Sequence, residues 1–171
     1  MFSSISRSIK QRTSPKDVFY TPTAVAVAHI AQVPSKEGDL WLDPFRGRGV
    51  YYDHFTTDHK EWCEITDGRD FFEYEGTPDV ICSNPPYSLL DRVLEKSIEL
   101  KPRVISYLLL HGAISTRRLE MLNKAGYGIT RIHMTKVYHW YGIAEIYTFE
   151  KDSPNIAQIT YDRIVHRENP I

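Results

Sequence analysis

Cysteine is scarce in this sequence. Cys63 and Cys82 are the only two, and neither belongs to a CxxC pair. A disulfide-stapled scaffold or a cysteine-rich zinc site is therefore not expected, and free thiols suit a reducing compartment. Long apolar runs are absent as well. None approaches the roughly 18 residues of a membrane-spanning helix. No apolar core of roughly 7–15 residues follows Met1, so a secretory signal is not expected. There is no internal repeat and no low-complexity linker. The net charge is only −1. What remains is a chain of 171 residues, 42% hydrophobic and 25% charged, the length and balance of one globular domain with a real core.

The small net charge hides an uneven distribution. Residues 1–36 carry five basic residues and one acid, residues 37–99 six and fifteen, and residues 100–171 ten and six. Between Lys101 and Tyr141 there are seven basic residues and a single acid, Glu120. This pattern allows a basic face beside an acidic middle, or simply a set of solvated faces. The Ser-rich N-terminus, with Arg7, Lys10 and Arg12, reads either as a phosphate-touching arm or as a transit peptide. We divide the chain into a basic arm, 1–19, and one domain, 20–171.

Short apolar runs alternate with helical spacing. Thr21-Pro22 opens a helix through Ile30, with Thr21 as its cap. Strands are expected at 39–42, 61–65, 79–83 and 103–110, the last apolar throughout as in a strand covered on both faces. Helices are expected over 88–100 and 115–124. Residues 129–138 and 144–149 read as a hairpin, and 155–166 as a further strand. Strands alternating with helices imply a mainly parallel sheet, whose ligands sit at the carboxyl ends of the strands.

Four segments fall at those ends. Asp43-Pro44-Phe45-Arg46-Gly47-Arg48-Gly49 follows the first strand, and its two glycines let backbone approach a ligand, though a plain tight turn has the same form. Glu64 lies 17 residues after Gly47, where an acid commonly holds ribose hydroxyls or is simply a surface residue. Asp70-Phe71 sets a carboxylate beside an aromatic ring, suited to an adenine amine and its ring, or to a loop acid and a core Phe. Asn84-Pro85-Pro86-Tyr87 is the most specific. Two prolines after a buried strand stiffen the turn. A stiff turn holds the Asn84 amide, the Pro85 carbonyl and the Tyr87 ring in fixed geometry, which suits a planar amine that must be positioned rather than deprotonated.

In this order the motifs resemble those of AdoMet-dependent amino-methyltransferases, in particular those acting on the exocyclic amine of adenine in DNA. The motif match runs from Tyr20 to Tyr87 and extends more loosely to Phe149. The resemblance implies a Rossmann-like class I methyltransferase fold. That fold is a three-layer α/β/α arrangement around a mainly parallel seven-stranded sheet with an antiparallel terminal hairpin. By similarity, Tyr20, Thr21, Pro22, Asp43, Phe45, Gly47 and Gly49 hold the methionine half of AdoMet. Glu64 holds its ribose, and Asp70 and Phe71 meet its adenine. Asn84, Pro85, Pro86 and Tyr87 grip the target amine. Three features depart from the family pattern. Arg46 and Arg48 stand where small residues are usual. Only five residues separate Glu64 from Asp70, so that edge of the sheet is trimmed. No target-recognition domain is present, so specificity comes from a partner or a second copy, or is low.

A target base must be flipped out or already single-stranded to reach such a site. The run Lys136-Val137-Tyr138-His139-Trp140-Tyr141 offers rings beside charge, with Tyr138 and Trp140 as candidate platforms, although core packing of the hairpin explains them equally. Arg117, Arg118, Lys124 and Arg131 are candidate phosphate contacts. His54, His59 and Cys63 lack the spacing of a zinc set, and no metal is expected. His111 follows an apolar strand near the ligand edge and is expected to be a hydrogen-bonded core histidine, with a site residue as the alternative.

The leading expectation is methylation of adenine in DNA. Methylation of an RNA base or of a protein glutamine, and a non-catalytic binding subunit, remain as alternatives. DNA is the expected partner, with RNA, protein, a homodimer or a specificity subunit as alternatives and no membrane. The expected location is intracellular and soluble, in cytoplasm, nucleoid or nucleus, for a cellular or viral protein.

Overall fold

Apolar runs too short for helices become strands of one sheet. The structure, a computed structural model, describes residues 20–137 and 143–162. Its strands are β1 (Trp41–Asp43), β2 (Lys60–Trp62), β3 (Val80–Ser83), β4 (Val104–Leu110), β5 (Tyr127–Thr135), β6 (Ala144–Lys151) and β7 (Gln158–Tyr161). They lie in the order β2-β1-β3-β4-β6-β5-β7. Pairing is parallel from β2 through β4 and between β5 and β7. Strand β6 alone runs antiparallel to both its neighbours.

Side-chain alternation along the strands builds two cores, one on each face of the sheet. On β4, Ile105, Tyr107 and Leu109 join Leu42, Ile81 and Phe149 on one face. Val104 packs on the other face with Trp41, Val80 and Cys82, and Leu108 packs there beside Ile146. Among the described residues, four helices cover these faces: α1 (Thr23–Ile30), α2 (Val50–His54), α3 (Leu90–Glu99) and α4 (Thr116–Lys124). Helices α1 and α2 seal the second face with Ala26, Ile30, Tyr51 and Phe55. Helices α3 and α4 seal the first with Leu90, Val93, Leu94 and Leu122. Each such side chain, fully buried, contributes about 1.5–3 kcal/mol. The buried Tyr107 hydroxyl meets Ser97 Oγ at 2.7 Å and ties α3 to β4. No helix among the described residues is long and apolar enough to cross a membrane.

Local chemistry sets the element ends. Pro22, not Thr21, occupies the N-cap position of α1, and its carbonyl accepts from Val25 and Ala26 N–H at 3.0 and 3.1 Å. The Thr21 hydroxyl is used elsewhere, as described below, so the expected side-chain cap is not made. Ser115 does cap α4, its Oγ accepting from Arg118 N–H. Strand β1 begins two residues later than the sequence pattern suggests. Asp39 instead accepts from Lys36 N–H at 2.6 Å and pairs with Arg103.

The trimmed edge takes the form of two short 3-10 turns, Ile65–Asp67 and Phe71–Glu73, where a crossover helix would otherwise stand. This leaves β2 as the outer strand. The far edge carries β7. It is bound to β5 by His133, whose ring nitrogens meet Thr160 Oγ1 and Asp162 Oδ2 at 2.8 and 2.9 Å.

Candidate active site

Chain connectivity reverses direction at β1. The first crossover leads outward to β2, and the next returns past β1 to β3. A crevice opens at such a point, outside the carboxyl ends of the strands. The Asp43–Gly49 turn leaves β1 at that edge, and Asn84-Pro85-Pro86-Tyr87 leaves the adjacent strand β3 at the same edge.

The two turns are joined through Asp43, which has no exposed surface. Ser83 Oγ donates to Asp43 Oδ1 at 2.6 Å, and Phe45 N–H donates to the same oxygen at 3.2 Å. Tyr52 N–H donates to Oδ2 at 3.2 Å. Burial nevertheless dominates, and it pushes the Asp43 carboxyl up to about 7. A buried carboxyl in this condition is favoured by any cation that comes to lie beside it. Gly49 ends the turn at φ 92°, and a Cβ there would lie 2.8 Å from Asp53 Oδ2. That position therefore requires glycine.

Glu64 closes the turn from β2. Its Oε2 accepts from Gly47 N–H at 2.9 Å, and its Oε1 accepts from Thr66 N–H and Oγ1 at 3.2 and 3.1 Å. The carboxylate thus faces the glycine turn. Asp70 caps the next turn, with Oδ1 accepting from Phe72 N–H at 3.0 Å. The Phe71 ring points into the core. It is fully buried, edge-on to Phe45 with centroids 5.3 Å apart. In this position the ring packs in the core, so the aromatic part of the Asp70-Phe71 expectation corresponds here to a core Phe. The half-buried ring beside it is Phe72, which lies under the Arg92 guanidinium at 4.2 Å.

Arg46 and Arg48 do not fill the glycine turn with charge. The Arg46 guanidinium lies 4.6 Å over the Trp62 ring, and that of Arg48 lies 3.9 Å over Tyr20. Aromatic faces outside the turn hold both cations.

In the proline turn, Pro85 is buried, and the Pro86 carbonyl accepts Leu89 N–H at 3.1 Å, starting the short turn Tyr87–Leu89 that leads into α3. Asn84 Nδ2 donates to Thr21 Oγ1 at 3.0 Å, which turns the amide oxygen to the opposite side. The Tyr20-Thr21-Pro22 segment is thereby brought against Asn84, across 63 residues of sequence.

The substrate-side candidates fare unevenly. Tyr138, Trp140 and the 1–19 arm lie outside the described residues. Arg117 and Arg118 stand at the start of α4, on the carboxyl edge, and both bind Asp91 at 2.7 Å. Arg118 also donates to the Ala113 carbonyl, so its role is to hold α4 on α3. Arg117 keeps most of its side chain exposed. Lys124 pairs with Glu120 at the far end of α4, and Arg131 donates to Gln158 on β7. Neither lies at the carboxyl edge.

His111 is not a core histidine. It is exposed, and its Nδ1 meets Oε1 of the buried Glu145 at 2.8 Å. His54 and His59 turn Nδ1 to the backbone carbonyls of Val50 and Gly38. Burial pushes the Cys63 thiol up to about 12. Among the described residues the most deeply buried imidazole, that of His29 on α1, was not singled out from sequence. Its only signal there is a lone polar ring in an apolar helix.

No protein-family profile and no curated protein matches the sequence. Solved structures do resemble it. A candidate RNA methyltransferase from Pyrococcus horikoshii is 18% identical with a TM-score of 0.58, over 88% of this chain and 98% of that one. Magnesium protoporphyrin IX methyltransferase from Synechocystis PCC 6803, solved with bound SAM, is 13% identical with a TM-score of 0.55, over 86% of this chain and 82% of that one. The modification subunit of a candidate type I restriction enzyme from Vibrio vulnificus is 16% identical with a TM-score of 0.57, over 99% of this chain and 51% of that one. At these identities the likeness establishes the fold, which is the Rossmann-like class I methyltransferase fold expected from the motifs.

Proposed function

We propose that this chain is an AdoMet-dependent N-methyltransferase acting on the exocyclic amine of adenine in DNA. The observation that carries the reading is the junction of two motifs at adjacent strand ends. The Ser83–Asp43 bond of 2.6 Å sets the glycine turn directly beside Asn84-Pro85-Pro86-Tyr87.

The residues present fit AdoMet. The buried Asp43 carboxyl, driven toward its neutral form by burial, gains from a neighbouring cation. Gly47 and Gly49 leave the turn open to close approach, and Glu64 stands at its rim. AdoMet supplies an electrophilic methyl group when bound. The chain's part is then to position and polarise the amine. Asn84 Oδ1, turned away from Thr21, and the Pro85 carbonyl accept the two amine hydrogens, which directs the nitrogen lone pair out of the ring plane. The Tyr87 ring stacks on the base and fixes its height. No charged base is required before methyl transfer, and oriented acceptors of this kind contribute about 10²–10³ in rate each. Arg117, paired with Asp91 but mostly exposed, is the phosphate contact in this reading.

The neighbours support both a DNA and an RNA reading. The modification subunit of a restriction enzyme favours DNA, and the likeness to nearly all of a candidate RNA methyltransferase favours an RNA base as the second reading. Labelled methyl transfer from AdoMet, with single-stranded DNA, duplex DNA, RNA and protein extract offered in parallel, separates them. The expected result is label on adenine in DNA that is lost in Asn84→Ala. Label on RNA alone selects the second reading. AdoMet binding without label on any acceptor overturns both.

A further inference from the structure

Cations and aromatic rings alternate along the outer edge of the sheet. Strand β2 is outermost, and all three of its residues are half-buried. Its side chains alternate, so Lys60 and Trp62 point to one side and Glu61 to the other, where Glu61 accepts from the Tyr74 hydroxyl. The Arg69 guanidinium lies 4.0 Å over the Trp62 ring, and that of Arg46 lies 4.6 Å over the same ring. Arg46 also lies 5.8 Å from the Tyr52 ring of α2, and Lys60 Nζ lies 4.7 Å over that ring. The series Arg69, Trp62, Arg46, Tyr52, Lys60 thus runs from the carboxyl edge of the sheet, beside the glycine turn, down the outer strand.

Little of this charge is spent inside the fold. Among the described residues, Lys60 and Arg69 form no ion pair. Lys60 donates one of its three hydrogens to the Tyr52 carbonyl at 3.0 Å and keeps two. Arg46 faces one carboxylate, that of Asp67, at 3.9 Å, beyond hydrogen-bond length. Its Nε is buried with no hydrogen-bond acceptor among the described residues. The neighbouring acids are engaged elsewhere, Glu64 on the glycine turn and Asp70 on the turn that follows. A guanidinium over a ring uses its face there, which leaves in-plane N–H donors for an anion. The rings also hold the cations in place, so less rotamer freedom is lost when an anion arrives. A row of held cations suits an anion that repeats. A phosphodiester backbone carries one charge per nucleotide on the chain itself, whereas acidic peptides carry theirs on flexible side chains.

We propose that the Arg69, Arg46 and Lys60 strip on the outer edge of the sheet is a docking track for the phosphate backbone of the nucleic acid. This rests on reading the chain as a nucleic-acid methyltransferase. It adds a contact surface on the β2 side of the site, across the sheet from Arg117. The track reads no bases. It supplies affinity, and its rings serve as spacers that hold the cations.

The test is fluorescence anisotropy of labelled single-stranded DNA, duplex DNA and RNA against the full chain, over about 50–300 mM salt, which reads affinity and its salt slope. In Lys60→Gln and in Arg69→Gln the slope is expected to become shallower by about 0.7 on single strands and about 0.9 on duplex. Affinity at about 0.1 M salt is expected to fall about five- to eightfold in each. Arg69→Lys, which keeps the charge, is expected to keep the slope. Lys124→Gln, at the far end of α4, is expected to change neither readout. Equal slopes and affinities in wild type and the folded Lys60→Gln/Arg69→Gln double variant overturn the proposal and leave the strip as a brace for the edge strand. Polyglutamate that displaces the oligonucleotide at equal concentration of charge overturns it in favour of an acidic protein partner. Should Arg69→Gln fail to fold, Lys60→Gln and the charge reversal Lys60→Glu decide. The assay needs no turnover. A slope that depends on Lys60 and Arg69, in a wild type that methylates no acceptor, upholds the track while the reading of the site fails. Methyl transfer to DNA with unaltered slopes does the reverse.

Discussion

Replacing Asp43 by Asn tests the electrostatics of the site most directly. Burial raises this carboxyl from 3.8 to about 7, against the opposing pull of bonds from Ser83, Phe45 and Tyr52. An acid with a raised folded value binds more protons in the native state than in the unfolded one across the window between the two values. Its stabilising contribution is therefore complete below the unfolded value and is lost as pH rises through about 7. Three pH units at about 1.36 kcal/mol each make that loss about 4 kcal/mol. Asn at this position does not titrate. Its oxygen still accepts from Ser83 and Phe45, but its NH₂ opposes Tyr52 N–H, at a cost of about 1–3 kcal/mol. Urea unfolding of both proteins between about pH 4 and pH 8 gives the difference in stability. The variant should be weaker by about 1–3 kcal/mol at the acid end and should gain about 4 kcal/mol relative to wild type by the alkaline end, becoming the more stable protein. A difference that does not change with pH refutes the reasoning.

Other outcomes follow from the same geometry. AdoMet affinity, measured by calorimetry, should rise by up to about tenfold per pH unit below pH 7 and level off above it, because a cation beside Asp43 is held best once the carboxyl ionises. Proton uptake on binding would contradict this. Asn84→Ala should lower kcat by about 10²–10³ with AdoMet affinity unchanged, read by methyl transfer and calorimetry on one sample. Gly49→Ala should destabilise the fold by about 1–3 kcal/mol in thermal melts, since φ 92° disfavours a Cβ that would also meet Asp53. Burial alone would raise the Glu145 carboxyl, but bonds from Tyr147, His111 and Gly112 carry it below its ordinary value. Its contribution is thus present above the unfolded value and lost as pH falls through the folded one. Glu145→Gln should flatten the acid limb of the stability curve.

Local pattern was enough for most elements. The mostly apolar run at 104–110 read as a strand covered on both faces, and β4 is the strand on which both cores meet. Residues 129–138 and 144–149 read as the arms of a hairpin, and β5 and β6 pair antiparallel as expected. The order of the glycine turn, Glu64 and Asn84-Pro85-Pro86-Tyr87 placed three motifs at one sheet edge, because parallel strands point their carboxyl ends the same way. The misreadings concern partners rather than elements. Thr21 had the sequence context of a helix cap, yet its hydroxyl serves Asn84. The adjacent rings Phe71 and Phe72 are indistinguishable in sequence, and the short turn they form buries the first and leaves the second at the surface. Arg118 looked available for phosphate, but Asp91, 27 residues earlier, holds it.

The sequence by itself determined the succession of strands and helices and the mainly parallel sheet, while the one reversed strand and the methyl-transfer chemistry were what the resemblance of its motifs implied. The former rest on periodicity, on prolines and on glycines, which act over a few residues of chain. Tertiary structure alone decided which polar groups are consumed by one another. Only the folded chain turns Arg46 and Arg48 onto aromatic rings, buries Asp43 beside Ser83, sets Tyr51 against His29 and brings Thr21 to Asn84. Such pairings join residues far apart in sequence, and a hydrogen bond depends on distance and angle in space, which residue order does not encode.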